Sequence, residues 1–236
     1  MRRVLLVWVL LLLPLVGQTQ RKTPPRKKTP PPSVVEKITE SVYRIGNVTL
    51  DTEARTITCT GEINMDSGSV EYLAVAPKGK THESLLLIRV RPIHLQVALL
   101  LLDLEPKNVL EAQGERRIPE GDVVTLWVRW RNAKGDMVEV RAEELLLRQP
   151  GDVVLKPQNW VFTGSRVLKE GFEADIAKSL IAIWHDPAAI LDNPTPEGSD
   201  NNYVVHSKRV PKRGTRIELI VKALPKTPSA QPKAPK

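Results

Sequence analysis

From residue 42 to residue 222, apolar and polar side chains alternate in short runs set off by turn residues. This is the pattern of half-buried β-strands, whose successive side chains point to opposite faces. The clearest run is 123–131, with Val124, Leu126, Val128 and Trp130 on one face and Thr125, Trp127, Arg129 and Arg131 on the other. Asn132, Gly135 and Asp136 separate it from 137–141, which predicts a β-hairpin. Residues 42–50 and 55–63 predict two strands around Asp51-Thr52-Glu53. In the second, Ile57, Cys59 and Ile63 share a face, with Thr56, Thr58 and Thr60 opposite. Further strands are predicted at 70–76, 85–90, 161–163, 172–184 (broken near its middle) and 216–222.

One segment has the helical period instead. Pro92 suits the first helical position, and Ile93, Val97, Leu100, Leu101 and Leu104 recur three or four apart, with Leu99 and Leu102 filling the gaps. A helix apolar nearly all round belongs in a core, so 92–104 predicts a buried helix. A second, short helix is predicted at 187–191. The fold class that follows is α+β, mainly antiparallel sheet with one buried helix; a β-sandwich is the alternative.

The two ends read differently. Met1-Arg2-Arg3 and the apolar run 4–16 form a secretion signal over 1–19, the run being shorter than the roughly 20 residues needed to span a bilayer. Residues 20–33 are a basic, proline-rich linker and 223–236 a basic, proline-rich tail, both without acidic residues; such segments are extended and solvated. The globular domain is 34–222. Ten of the 35 lysines and arginines lie in the ends, leaving 25 to face all 27 acidic residues within the domain. The net charge of +8 therefore resides in the arms. A near-neutral domain argues against nucleic acid as a partner, whereas the arms suit an anionic envelope surface. Once the signal is cleaved no transmembrane span remains, which places the protein in the periplasm, envelope or extracellular space. Cys59 is the only cysteine, so no internal disulfide forms, and its strand face makes it a buried apolar residue.

Two polar constellations interrupt the apolar pattern. In Lys78-Gly79-Lys80-Thr81-His82-Glu83-Ser84, His82 and Ser84 are two apart, which on a strand places a base and a hydroxyl on one side. No oxyanion hole or third orienting group is legible, and G-x-S-x-G is absent. Gly79-Lys80-Thr81 lacks the first glycine of a P-loop, since Ala74 stands there. The second constellation is Trp184-His185-Asp186-Pro187, followed by Asp192-Asn193-Pro194 and Asp200-Asn201-Asn202. His82, Glu83, His185 and Asp186 are candidate ligands for a divalent metal, and Asp192, Asn193, Asp200 and Asn202 offer the oxygens that calcium prefers. The spacing fits no EF-hand or H-E-x-x-H helix, and Asp-Pro and Asn-Pro also turn a chain with no ligand. No cofactor is predicted. His94 and His206 read as structural, and Trp127 and Trp160 as core or rim.

The stretch V-E-Y-L-A-V-A-P-K-G-K-T-H-E-S-L-L (70–86), R-P-I-H-L-Q-V-A-L-L-L-L (91–102), W-H-D-P-A-A-I-L-D-N-P (184–194) and Y-V-V-H (203–206) resemble, in the same order, the YdjY-type domain of exported bacterial proteins. The resemblance covers about 45–222. Its matched polar residues are Glu71, His82, Glu83, Ser84, His185, Asp186, Asp192 and Asn193, and it brings no catalytic role for any of them. Some relatives carry clustered cysteines; Cys59 alone cannot hold an iron–sulfur cluster. The reading that follows is an exported binding or structural module for an envelope component or small ligand. A metal-dependent or Ser/His hydrolase built from the two loops is the alternative.

Overall fold

A computed structural model describes residues 35–195 and 202–225. The expectations for the signal, the linker, Asp200 and the tail beyond Pro225 fall outside these residues. Eight strands carry the fold: β1 (Thr56–Ile63), β2 (Tyr72–Val75), β3 (Ser84–Ile88), β4 (Val123–Arg131), β5 (Trp160–Phe162), β6 (Ser179–Ala182), β7 (Leu191–Asp192) and β8 (Arg216–Ala223). They pair in the order β1-β8-β4-β5-β7-β6-β2-β3, and β3 returns to β1, closing a barrel. The β6–β7 and β2–β3 pairs are parallel and the others antiparallel. Mainly antiparallel sheet is as the alternation predicts. The sandwich alternative gives way to the closed barrel, because β1 uses both of its edges.

The period-2 pattern fills the barrel. Ile57, Cys59 and Ile63 of β1, Val124, Leu126 and Val128 of β4, Trp160 and Phe162 of β5, and Leu219 and Val221 of β8 are all fully buried. Cys59 is a free thiol in this core, and burial pushes its pKa up to about 12. The hairpin of β4 with Met137–Arg141 forms in register, Arg131 opposite Met137.

Closure depends on one small residue. One edge of β1 pairs with β8 from Thr56 to Glu62. Its other edge is shared, with Val48–Asp51 beside 56–59 and β3 beside 61–63. Gly61 stands where the partners change, and a Cβ there would lie 2.4 Å from the Leu87 carbonyl oxygen. Gly61→Ala should therefore push β3 away and cost about 1–3 kcal/mol, the usual penalty of overpacking. Urea unfolding checks this, and an unchanged midpoint would show that the seam yields freely.

Four predicted elements come out differently. Residues 42–50 are not one strand: Val42–Ile45 and Val48–Asp51 form a hairpin around Gly46 and Asn47. Gly46 adopts φ +57, the left-handed conformation of a two-residue turn, and a Cβ on it would strike the His94 ring. Residues 172–184 hold a short helix, α2 (Glu173–Ala177), before β6. No helix forms at 187–191. The Asp186 carboxylate accepts the Ala188 amide at 2.9 Å and its carbonyl the Ala189 amide, making a tight turn into β7.

The predicted 92–104 helix, α1 (Pro92–Leu101), is shorter and less buried than its composition suggests. Leu95, Ala98 and Leu99 are buried, but Leu100 and Leu101 are 46% and 49% exposed. It lies against the 42–51 hairpin and α2, and Leu100 and Leu101 at its C-terminal end are the residues left exposed. Asp103 at φ +60 ends it, with the Leu104 amide donating back to the Leu99 carbonyl. Its first turn has no side-chain cap of its own; instead Asp175 of α2 accepts the Ile93 amide and pairs with Arg91.

Candidate functional site

The two polar constellations meet at the start of β2, and the backbone of Glu71 is what joins them. Its amide donates to the Glu83 carbonyl, while its carbonyl accepts the amides of Ile183 and Trp184. The next residue, Tyr72, is buried at the base of the site on a small apolar cluster with Val75, Ala182 and Ala189. Its hydroxyl donates to Asp186 Oδ2 at 2.8 Å and accepts from Lys80 Nζ at 2.9 Å and Gln113 Nε2 at 3.1 Å. Lys80 also lies 3.6 Å from Glu83, and Gln113 donates to the Glu71 carboxylate. A chain of groups thus runs from Glu83 through Lys80 and Tyr72 to Asp186.

At its inner end the network leaves no Asp186 oxygen unpaired. Asp186 Oδ2 also accepts from Ser179 Oγ at 2.9 Å, and Oδ1 takes the Ala188 amide. Burial, together with the charges of Asp186 and Glu83, raises the Tyr72 pKa well above the usual phenol range. Tyr72 is therefore a neutral hydrogen-bonding bridge and not a base.

Behind it lies a second buried group. His185 Nδ1 is 2.6 Å from Asp192 Oδ1, with 1% and 0% of the two side chains exposed. Asp192 Oδ2 accepts the Asp186 amide, so in its carboxylate form Asp192 makes His185 Nδ1–H the donor. Burial pushes the Asp192 carboxyl up to about 6 against the opposing pull of His185. His185 Nε2 is buried with no hydrogen-bond partner among the described residues. Asn193 is saturated: its amide donates to the Ile183 carbonyl and Tyr203 Oη, and its oxygen accepts from Gln158 and the Thr195 amide.

The structure therefore brings Glu71, Glu83 and Asp186 into one network and sets His185, Asp192 and Asn193 beneath it. It does not unite His82 with Ser84. Residues Thr81–Glu83 form a 3-10 turn, which breaks the two-residue strand spacing. Ser84 is buried and donates to the Lys80 carbonyl at 2.6 Å, while the His82 side chain is 79% exposed and 3.5 Å from Glu83. His82 lines an open cleft of about 420 Å³ with Asn64, Asp66, Ser67 and Arg213. Among the described residues, no three His, Cys, Asp or Glu side chains group closely enough to hold a metal ion. The oxygens of Asp192 and Asn193 are spent on protein donors, and Asn202 takes the Gln149 amide through its backbone carbonyl.

Tyr72, Lys80, Gln113 and Ser179 are absent from the predicted set. Lys80 and Tyr72 sit in the same stretch as Glu71 and His82, where strand patterning hides the polar end of Tyr72. Gln113 lies in a segment with no pattern at all. His206 is structural, its ring 3.1 Å from the Glu144 carbonyl, and Trp160 is core, whereas Trp127 sits on the outer face between Lys222 and Arg141. A comparison with protein families matches residues 48–222 to the YdjY domain. No curated protein and no solved structure matches the chain.

Proposed function

The chain belongs to the YdjY domain family, and from that premise we propose that it is an exported cell-envelope protein whose domain binds a small ligand or envelope component without transforming it. One observation carries this reading. The hydroxyl of Ser84 and the carboxylates of Asp186 and Asp192 are spent on internal partners, while His82 stands exposed on its cleft. The cleft volume of about 420 Å³ falls in the range of small-molecule sites, about 300–1,000 Å³. Export is supported by the charged start and apolar run of residues 1–19, and contact with an anionic surface by the basic linker and tail.

Cell fractionation of the full chain tests the role of the cleft. His82→Ala should lower retention in the envelope fraction several-fold and leave the thermal midpoint unchanged, because exposed side chains alter stability by only about 0.5 kcal/mol. Unchanged retention contradicts a binding role for the cleft. A second reading, a metal-dependent or Ser/His hydrolase, is favoured by the His185–Asp192 pair. There a carboxylate orients an imidazole whose Nε2 has no partner, as in a general base. Against it stands the burial of that ring at 1% exposure.

A further inference from the structure

The outer face of the barrel carries a second concavity, about 640 Å³ in volume, that shares no residue with the His82 cleft. It spans β1, β8 and β4, and four arginines converge on it: Arg89, Arg129, Arg131 and Arg216. Two carboxylates, Glu62 and Glu218, also line it. Arg89 is bonded to Glu62 and Arg129 to Glu218. Among the described residues, Arg131 donates to the Gly135 carbonyl alone, and neither it nor Arg216 has a carboxylate bonded to it. The groove thus holds an excess of two positive charges, carried by two exposed guanidinium groups on neighbouring strands. Met137, 49% exposed, adds an apolar wall.

We infer that this groove is a binding site for a phosphorylated organic anion. A guanidinium presents paired N–H donors in a fixed fork that fits phosphate oxygens; a phosphomonoester dianion balances the excess charge in full and a phosphodiester balances half of it. The volume exceeds what one phosphate fills, so the ligand carries an organic part that lies along Met137. The same chemistry is offered by a soluble phosphate ester and by a phospholipid headgroup.

Two probes distinguish these sources in the full-length protein: glycerol 3-phosphate followed by calorimetry, and phosphatidylglycerol vesicles followed by co-sedimentation against phosphatidylcholine vesicles. The variants are Arg131→Gln, Arg216→Gln and the pair together. Each single change should weaken binding about tenfold or more, the effect of losing one charge-assisted hydrogen bond. Weakening toward glycerol 3-phosphate assigns the groove to soluble esters, and weakening toward anionic vesicles alone assigns it to headgroups. The basic arms are present in every protein compared, so their contribution cancels. Wild type and double variant behaving alike toward both probes, absence of binding included, overturns the inference.

Discussion

Replacing Glu143 with alanine should lower the unfolding free energy by about 3–5 kcal/mol, the cost of removing one partner from a buried ion pair. Glu143 is fully buried in the Ala142–Leu145 turn that follows the Met137–Arg141 strand. Its two oxygens accept from Arg141 Nε and Nη2 at 3.1 and 2.8 Å, and Oε1 also takes Trp160 Nε1 at 3.0 Å and the Gln158 amide at 3.2 Å. Alanine leaves the Arg141 guanidinium without a carboxylate and the core Trp160 N–H without an acceptor. Glu143→Gln keeps an acceptor for Trp160 and should cost less. Urea unfolding followed by tryptophan fluorescence reads both. A loss below about 1 kcal/mol for alanine would show that packing alone seats Trp160.

The second large effect depends on pH. In the folded protein Asp192 keeps its proton up to about pH 6, against an ordinary value of 3.8. Between these values the folded state binds a proton that the unfolded state has released. Raising the pH therefore removes stability. The contribution is complete below about pH 4 and gone above about pH 6, and a difference of this size corresponds to about 3 kcal/mol. Asp192→Asn has no such carboxyl, so its stability should be flatter from pH 4 to 6. Equilibrium unfolding across that window, wild type beside variant, measures the difference. Parallel profiles would mean that the site does not hold the proton on Asp192.

Much of the barrel was legible because one alternation governs each long strand. Thr56–Ile63, Val123–Arg131 and Arg216–Ala223 pack one face on the core and present the other outward, so period 2 survives in the residue order. The closure was not legible, since it depends on β3 pairing back to β1 beside Gly61, and nothing local marks that partner. The Gly46-Asn47 turn was legible in principle, as a glycine–asparagine pair between apolar runs, but the surrounding strand pattern masked it. α1 misled through composition: Leu100 and Leu101 continue an apolar stripe on a side that no other described element covers.

For the site, both loops stood out by their density of polar residues, and the fold joins them through Glu71 and Tyr72. The roles within them were not legible. His82 and Ser84 suggested a pair only if the segment were extended, and the 3-10 turn at Thr81–Glu83 sends them to different environments. Tyr72 was hidden for the opposite reason: an aromatic in an apolar run reads as core, and here its ring is core while its hydroxyl is the centre of the network. Gln113 reaches that hydroxyl from 41 residues away, a distance over which sequence spacing carries no information.

The central proposal is that ligand binds at the His82 cleft and that the neighbouring network, which His82 meets at Glu83, is a fixed scaffold and not a catalytic centre. The most direct test is hydrolysis by the purified full-length protein of nitrophenyl esters, phosphates and glycosides, with and without added divalent metal, beside His185→Gln and Ser84→Ala. The account predicts no turnover above buffer for any of the three proteins. Turnover by the wild type that either substitution abolishes, with the fold intact by circular dichroism, would contradict it.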